Sequence, residues 1–468
     1  MLKKLFSHTL VYGLAPQVVR IAQIFVLPII TPFLTTADYG VFGLIAAVLG
    51  AISIFSNLGL NIVLSNSFTK SPHQYKWLWR QIYGFLSLWS IIYAFIVALV
   101  IYLFIPDIAK ADALMIVILN VLPLVLFGPT GVIGSMYYQL KQQPFQIMIR
   151  SVCVGLMTLV LNIYFIKYLK MGYMGWFWAA AISQILEHFS YFIPLNFKLK
   201  ITPIFNFKWR TIKKQILICL PTIPHYYSGY LLGSFDRIIM KFYKVDIQSI
   251  GKYNMAFIPS GIFTSGTYAI NQAIGPLLLQ SYKNGDKKTE VKLNFISAII
   301  VLVLTSIVCL FVKEVLPLII RSKGLEDVYK IAIVLIMASN SRPMYIAANN
   351  KLFFLEKTKA LLKVTTIAAG ISVVLNVICI YYFGFKAAAF TLFLCNMYIG
   401  YSGFFIKEYK ESDNANHSPL IWLFVTLSLT ALVYLAADLS IVMKSCIALP
   451  ILLIGGIAAL KINKKYSV

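Results

Sequence analysis

The feature that most constrains this chain is a series of apolar stretches that follow one another along the whole sequence, each about as long as a membrane-spanning helix. A helix needs roughly 20 mostly apolar residues to cross the hydrocarbon core of a bilayer. Of the 468 residues, 60% are hydrophobic and 12% are charged, and soluble cores cannot bury that much apolar surface. The sequence therefore predicts an all-α integral membrane protein.

The apolar stretches predict about fourteen transmembrane helices. The N-terminal segment "MLKKLFSHTLVYG" has a basic start but no small-residue cleavage site after it, so we interpret it as part of a retained first span. The predicted helices cover residues 10–33, 41–65, 82–105, 114–138, 147–166, 174–195, 216–243, 254–280, 293–312, 329–350, 362–381, 387–406, 419–437 and 442–460.

The distribution of lysine and arginine between the spans predicts the orientation of the chain. With a cytoplasmic N-terminus, 26 basic residues fall on the cytoplasmic side and 12 on the other side. Cytoplasmic loops carry the excess of basic residues in membrane proteins, so we expect both termini in the cytoplasm. The net charge of +25 does not indicate nucleic acid as a partner, because these charges lie between spans rather than on one solvated face.

The chain lacks the signatures of a metal centre or an enzyme. Its six cysteines lie in apolar segments without a CxxC pair, so neither a zinc site nor a disulfide framework is indicated. The sequence has no DxD motif and no Walker loop, and the longest gap between predicted spans is about twenty residues. We expect no cofactor and no catalytic residues, and a membrane-bound polysaccharide polymerase or transferase is an unfavoured alternative.

The two halves of the chain resemble each other weakly. The stretch "LTTADYGVF" after the first predicted helix is similar to "YKVDIQSIGKY" after the seventh. Four matches occur in the same order at nearly constant offsets of 211 to 214 residues. They pair Gly40 with Gly251, Pro129 with Pro343, Asn162 with Asn376, and Gly172 with Gly384.

Each repeat contains six spans, an even number, so both halves enter the membrane from the same side. This is the parallel-repeat arrangement of several transporters, which alternate access to a cavity between the repeats. We predict an N-terminal lobe at residues 1–195, a basic cytoplasmic link at 196–215, a C-terminal lobe at 216–406, and two extra helices at 407–468.

Charged residues within the predicted spans point to the cargo. A charge at mid-bilayer costs roughly 2.5–3.5 kcal/mol, so it usually faces a wet cavity or a partner. Arg20 lies about 15 Å into the first helix at 1.5 Å per residue, and Arg342 stands beside Pro343, which should kink the tenth helix. An interior with more arginine than carboxylate suits an anion, whereas a cation exporter should have an acidic cavity.

The stretch "GYLLGSFDRIIMKF" places Asp236 beside Arg237 in the seventh predicted helix. Neighbours in a helix point about 100° apart, so the sequence predicts separate partners for the two side chains. Arg237 is about 10 Å from the outer end of the helix and close enough to snorkel outward. We expect Asp236 to turn inward, toward a cation or basic partner across the cavity, while Arg237 serves either the cavity or the membrane surface.

Several uncharged or titratable side chains are further candidates. Glu187 and His188 either carry a coupling proton or form an interhelical contact. Amide side chains either line a cavity or pack between helices; they are Asn57, Asn61, Asn271, Gln272 and Asn340.

Three stretches carry a resemblance to a known family: "GLAPQVVRIAQIFVLPIITPFLTTADYGVFGLIAAV", "SFDRIIMKFYKVDIQSIGKYNMAF" and "GYMGWFWAAAIS". They resemble Wzx-type flippases of O-antigen and capsule polysaccharides, which belong to the multidrug/oligosaccharidyl-lipid/polysaccharide (MOP) exporter superfamily. The similarity extends over about residues 5 to 410. It rests on pattern rather than on a strict motif.

The resemblance implies two six-helix lobes around a central basic cavity. It implies movement of an undecaprenyl-diphosphate-linked oligosaccharide from the cytoplasmic to the periplasmic leaflet of the bacterial inner membrane. Arg20, Arg342 and Arg237 would hold the diphosphate, and either Arg150 and Lys363 would receive it first or they anchor the chain to the membrane surface. Asp236, Glu187 and His188 would couple transport to a proton or cation.

The resemblance also leaves alternatives open. Fourteen spans are similar to the related lipid II flippases, and a multidrug exporter belongs to the same superfamily. The expected partners are the lipid-linked oligosaccharide and membrane lipids, with a polysaccharide polymerase and a chain-length regulator as further candidates.

Overall fold

The secondary structure of the chain is helical. The computed structural model describes residues 17–220, 223–322, 324, 328–412 and 415–466, and no strand occurs in these ranges. Ten helices of the described ranges are long and apolar enough to cross a membrane, and the shorter apolar helix α1 covers Gln17–Phe33. The predicted all-α membrane fold is confirmed. The part of the first predicted helix before residue 17 lies outside the described residues.

The main helices are numbered here in chain order. They are α1 (Gln17–Phe33), α2 (Thr36–Ser53), α3 (Asn61–Lys70), α4 (Tyr75–Phe104), α5 (Ala113–Leu126), α6 (Thr130–Leu140), α7 (Pro144–Asn162), α8 (Tyr173–Ile193), α9 (Trp209–Cys219), α10 (Ile223–Gly233), α11 (Phe235–Phe242), α12 (Ile247–Asn284), α13 (Lys287–Leu310), α14 (Val312–Ile319), α15 (Val328–Met337), α16 (Arg342–Phe354), α17 (Thr358–Phe383), α18 (Ala387–Ser402), α19 (Lys407–Lys410), α20 (Pro419–Ala436) and α21 (Ile441–Lys465).

Four of the predicted spans are interrupted. The second is divided into α2 and α3, the fourth into α5 and α6, the seventh into α9, α10 and α11, and the tenth into α15 and α16. Pro129 precedes α6 and Pro343 lies in the first turn of α16, where proline is tolerated because the first amide groups of a helix have no partner in the helix. Ten of the fourteen predicted spans correspond to helices of the described ranges that are long and apolar enough to cross a membrane, and the first corresponds to the shorter α1; the sixth, seventh and eighth are not among them.

The chain is divided into two compact units, residues 1–230 and 231–468. The division falls within α10, and the lobe boundaries expected from the sequence stay a prediction. In the first unit, a core of α3 and α4 side chains includes Leu64, Trp79 and Ile82, which are fully buried. Ile201 and Ile212, which lie in or beside α9, belong to the same core.

The basic segment between α8 and α9 lies against α4 in the first unit. The Ile204 amide donates to the Arg80 carbonyl, and the Arg80 Nε donates to the Thr202 carbonyl. The Lys208 amide donates to Gln81 Oε1. Gly84 allows this close approach, because a Cβ there would lie 1.9 Å from the Ile204 carbonyl oxygen. The segment is therefore part of the packed first unit and not a free linker.

In the second unit, ion pairs connect several helices to their neighbours. Lys444 near the start of α21 is fully buried, and its ammonium is 2.7 Å from Glu314 of α14. Asp438, in the turn between α20 and α21, contacts Lys313 and Lys330, each at 2.9 Å. Hydrogen bonds from Tyr329 and the two lysines hold the pKa of Asp438 below its ordinary value. The two C-terminal helices are thereby joined to the rest of the unit.

A buried polar cluster lies where α13, α16 and α19 meet the segment before α20. Glu290 is 3.4 Å from Lys351 and 3.7 Å from His417, and all three are almost fully buried. The His417 ring also contacts Asn294 and Tyr409. Burial lowers the pKa of His417 to about 4, against its ordinary 6.5, so the ring is neutral at pH 7.

Three of the four matched stretches of the two sequence halves have equivalent structural roles. Thr35 and Asp38 cap α2, and Asp246 caps α12. Gly172 precedes α8 and Gly384 precedes α18, each with a positive φ. Together with the prolines that precede or begin α6 and α16, these pairs indicate that the sequence repeat is a repeat of helices and turns.

Candidate substrate site

Arg342 lies at the centre of a broken span. The span runs from Val328 to Phe354, which places Arg342 about 20 Å from either end at 1.5 Å per residue. A short 3-10 turn over Ala338–Ser341 separates α15 from α16. Gly400 of α18 lets this turn pack closely, since a Cβ there would lie 2.7 Å from Ser341 Cβ. The turn packs against α18, and Arg342 is the first residue of the helix that follows it.

The Arg342 side chain is half-buried and rests on Tyr268 of α12. Its guanidinium lies 5.3 Å from the ring centroid, and Nη1 donates to the Tyr268 hydroxyl at 3.2 Å. Tyr268 is 48% exposed, so the pair lies at the surface of the second unit. A guanidinium so far from both ends of a span is unfavourable in hydrocarbon. We infer that water, rather than lipid hydrocarbon, contacts this face of the unit.

The amides expected near Arg342 divide into two groups. Asn271 of α12 accepts a hydrogen bond from Asn350 of α16 at 3.3 Å, and Gln272 is exposed. Asn340 is buried and accepts a hydrogen bond from the Thr305 hydroxyl at 2.9 Å. Asn271 thus ties α12 to α16, while Asn340 belongs to the packing of α13 against the break.

Asp236 and Arg237 form the buried ion pair that sequence reasoning did not expect. Arg237 Nη1 lies 3.0 Å from Asp236 Oδ1, and the two residues are 6% and 4% exposed. Arg237 also donates to Asn254 and to the Gly233 carbonyl, and Tyr253 donates to Asp236. The prediction that the two side chains do not pair with each other is wrong, because both groups are satisfied inside the second unit. Arg237, for which the cavity and the membrane surface were both open, is buried.

Rings complete the surroundings of the Asp236–Arg237 pair. The guanidinium lies 4.6 Å from the Phe257 centroid and 5.1 Å from the Tyr253 centroid. A diphosphate could reach this guanidinium only by displacing protein partners. Asp236 does turn inward to a basic partner, but that partner is its own neighbour and not a group across the cavity.

Arg20 and Arg150 have different surroundings in the first unit. Arg20 is exposed on α1, which packs on α7 where a Cβ at Gly155 would meet Val19 at 2.5 Å. Arg150 lies between the rings of Tyr138 and Tyr191, 4.9 Å from each centroid. Its Nη1 also donates to the Gln146 carbonyl. Arg20 is open to a ligand, whereas Arg150 is held in place with part of its surface exposed.

Three other candidate positions are on helix surfaces. Lys363 is exposed on α17, and Glu187 is half-buried on α8. His188 packs against α6: its backbone carbonyl accepts from Thr130, and its ring lies 2.9 Å from the position of a Cβ on Gly131. His188 therefore packs against the neighbouring helix, and the choice between proton coupling and a hydrogen-bonded contact of its side chain stays open.

Asn57 and Asn61 lie beside the break between α2 and α3. Asn57 Oδ1 accepts the Gly59 amide at 3.0 Å and so stabilises the turn. Asn61 begins α3 and lines a cavity in the first unit. Asn57 also lines this cavity, so both amides border it while Asn57 in addition stabilises the turn.

Sequence reasoning missed the aromatic partners of the charged residues. Tyr268, Tyr253 and Phe257 lie in the long α12, where an aromatic residue is ordinary for a membrane span. The signal that could have found Tyr253 is its position seven residues after the turn at 243–246, since Asp236 lies seven residues before that turn.

The sequence matches one family model, described as "Polysaccharide biosynthesis protein", over residues 2–282. No curated protein matches the sequence. The described ranges contain no group of three or more histidine, cysteine, aspartate or glutamate side chains that could hold a metal.

Solved structures of membrane transporters share the fold. The lipid II flippase MurJ in an inward closed conformation has a TM-score of 0.70 and 14% identity, over 95% of this chain and 97% of that chain. An inward-facing multidrug resistance MATE family transporter of the MOP superfamily has a TM-score of 0.53 and 14% identity, over 88% and 99%. MATE in complex with MaD3S has a TM-score of 0.51 and 13% identity, over 90% and 95%.

Proposed function

We propose, from the premise that the chain belongs to the polysaccharide biosynthesis protein family, that it is a flippase for an oligosaccharide linked to undecaprenyl diphosphate. The cargo is an O-antigen or capsule repeat unit, moved from the cytoplasmic to the periplasmic leaflet of the bacterial inner membrane by alternating access. The observation that carries the proposal is Arg342, a half-exposed guanidinium at the centre of a span.

Arg342 is suited to a diphosphate by charge and by geometry. A guanidinium has five N–H donors in a planar fork that matches phosphate oxygens, and it stays charged when water is removed. The hydrogen bond to Tyr268 uses one donor and orients the fork. A cation exporter would need a carboxylate at this position instead.

The remaining basic residues contribute in order of their accessibility. Arg20, which is exposed on α1, is the second ligand for the diphosphate. Arg150 and Lys363 receive the diphosphate at the cytoplasmic ends of α7 and α17. Arg237 has no part in this scheme, because its guanidinium is buried against Asp236, Asn254 and two rings.

Glu187 is the carboxylate on which we propose ion coupling, since Asp236 is already paired. An inside-negative membrane potential also favours the movement of an anion out of the cytoplasm. The gain is about 2.3 kcal/mol per elementary charge for each 100 mV. Replacement by glutamine should leave binding of the cargo intact and abolish the dependence of flipping on an imposed proton or sodium gradient. An unchanged dependence in Glu187→Gln excludes this role.

Deletion of the gene in its host tests the function itself. We expect a lipid-linked oligosaccharide to accumulate on the cytoplasmic leaflet, and the wild-type gene to clear it. Arg342→Gln should reduce clearance at least tenfold, and Arg342→Lys should retain part of it because the charge stays while the fork is lost. Arg210→Gln, which removes an exposed arginine of α9, is the matched control. Full clearance by Arg342→Gln would contradict the assignment.

The second candidate is a lipid II-type precursor flippase. It is favoured by the similarity to the lipid II flippase MurJ over nearly the whole chain. The chemical identity of the accumulated lipid separates the two candidates: a peptide-bearing disaccharide supports the second, and a repeat-unit oligosaccharide supports the first.

A further inference from the structure

The break between α2 and α3 opens a cavity within the first unit. Residues 54–60 form turns in the middle of an apolar segment that was predicted to be one continuous helix. Leu58 and Gly59 both have positive φ angles, 51° and 72°. Backbone that leaves the helix at membrane depth occurs where protein or water satisfies its polar groups. The turn is therefore a place to look for a polar ligand.

Side chains of α4 hold the broken backbone in position. The Trp89 indole donates to the Phe55 carbonyl at 2.8 Å, and the Tyr93 hydroxyl donates to the Ile52 carbonyl at 3.1 Å. With the Asn57 bond to the Gly59 amide, these contacts give the turn one defined shape. The cavity beside it is consequently preformed.

The cavity has a volume of about 280 Å³ and a wall of aromatic, aliphatic and uncharged polar groups. This is near the lower end of ligand pockets, which span about 300–1,000 Å³, and it suits one sugar ring better than a drug-sized molecule. Its walls include Gly50, Ser53, Asn57, Asn61, Tyr227 and Tyr230. Lysine, arginine, aspartate and glutamate are absent from its lining residues.

Two features of the wall match a neutral pyranose. The rings of Tyr227 and Tyr230 lie 5.5 Å apart at an angle of 37°, and such rings present an apolar surface to the C–H face of a sugar. Asn61 Oδ1 is buried and accepts no hydrogen bond from the described residues. Buried polar atoms normally have partners, and a sugar hydroxyl would supply one.

We propose that the helix-break cavity binds one uncharged sugar ring of the lipid-linked cargo, with Asn61 accepting a hydroxyl and the two tyrosines packing on the ring. The inference rests on the proposed function. The lining residues of the cavity are uncharged, so its role differs from that of Arg342. The cavity recognises a sugar, and the arginine recognises the diphosphate. The first unit thereby contributes to the choice of glycan.

Two lipids and matched variants test the proposal. The probes are the glycolipid purified from the deletion strain and undecaprenyl diphosphate without sugar, each flipped by the purified protein in liposomes. Asn61→Leu should slow the glycolipid at least tenfold and the sugar-free lipid less than twofold. Asn120→Leu is the control, because the Asn120 amide bonds the Ile116 carbonyl within α5 and lies outside the cavity.

A second substitution keeps the test decisive if Asn61→Leu does not fold. Ile62→Trp fills the cavity, which Ile62 lines, and should have the same selective effect in protein that elutes as a single species. Wild-type flipping of the glycolipid by a folded variant, or equal slowing of both lipids, overturns the cavity assignment while the flippase stands. If the wild-type protein flips neither lipid, the proposed function fails and the inference fails with it.

Discussion

At the scale of single residues, Asp236 and Arg237 explain how sequence neighbours can form a pair. Asp236 lies in the first turn of α11, where the carboxylate accepts the free Arg237 amide at 2.8 Å. The first amides of a helix have no partner within the helix, so this bond is favourable and bends the carboxylate toward the next residue. The guanidinium then reaches the same oxygen at 3.0 Å.

The burial of this pair predicts an asymmetric response to substitution. Asp236→Ala leaves a buried guanidinium without its carboxylate and should lower the free energy of unfolding by about 3–5 kcal/mol. Asp236→Ala combined with Arg237→Met removes both charges and should recover a large part of that loss. Thermal unfolding in detergent measures both. A double variant less stable than the single one would show that the pair is not the main contact of either side chain.

Among the residues of the candidate site, those marked by an unusual sequence could be predicted. Arg342 stands out because a charge and a proline interrupt an apolar segment. Tyr268 could not be predicted as its partner, since their separation of 74 residues is set by the packing of α12 on α16. Pairing of Asp236 with Arg237 was missed because side-chain directions in an ideal helix do not describe its first turn.

At the scale of elements, Gly84 determines whether the segment before α9 can lie on α4. Gly84→Ala places a Cβ 1.9 Å from the Ile204 carbonyl oxygen, so the segment must move and its hydrogen bond to Arg80 is lost. We expect the free energy of unfolding to fall by about 1–3 kcal/mol. The measurement is thermal unfolding of the purified variant.

Gly370→Ala is the matched control for Gly84→Ala. Gly370 lies on an exposed face of α17 with open space around it. Its substitution should be neutral or should stabilise the protein by up to about 1 kcal/mol, because alanine favours helix over glycine. Equal effects at the two glycines would indicate that the segment does not contact α4 in the membrane.

The cluster that joins α13, α16 and α19 predicts acid sensitivity. His417 is neutral when folded, with its pKa lowered from 6.5 to about 4, so the unfolded chain binds more protons between these values. The free energy of unfolding should therefore be highest above pH 6.5 and should fall as the pH drops toward 4. The expected decrease between pH 6.5 and 5 is about 2 kcal/mol. The facing groups are Glu290, Lys351 and Tyr409.

The pH dependence is assigned by comparing two histidine variants. Between pH 6.5 and 5, the unfolding temperature of His417→Gln should fall less than that of the wild type, since the titrating ring is gone. His73→Gln removes an exposed histidine and should retain the wild-type profile. The same profile in His417→Gln and wild type would assign the acid sensitivity to other groups.

Helix positions could be predicted from hydropathy, but several interruptions could not. Residues 54–60 read "IFSNLGL" and are nearly as apolar as the helices beside them, so no loss of hydropathy marks the turn. Its shape comes from Trp89 and Tyr93 on α4, which are distant in sequence. The cavity at this turn therefore could not be predicted from the sequence, although Asn57 and Asn61 are candidate cavity-lining residues there.

At the scale of the whole molecule, the alternation of turns determines which loops share a side of the membrane. Each successive predicted span reverses the direction of the chain, so turns alternate between the two sides. The turn at residues 71–74 and the basic segment before α9 then fall on one side, and the turn at 384–386 falls on the other. The fourteen predicted spans, an even number, return the C-terminus to the side of the N-terminus, and we predict from the excess of basic residues that this side is the cytoplasm.

Single cysteines report this orientation directly. In a variant whose six native cysteines are replaced, Lys386→Cys should react with a membrane-impermeant maleimide in intact spheroplasts, and Ser71→Cys only after permeabilisation. Both positions are exposed beside helix ends, so labelling depends on the side of the membrane rather than on burial. The reverse pattern would place the termini outside, and labelling of both positions in intact spheroplasts would mean that the number of spans between them is even.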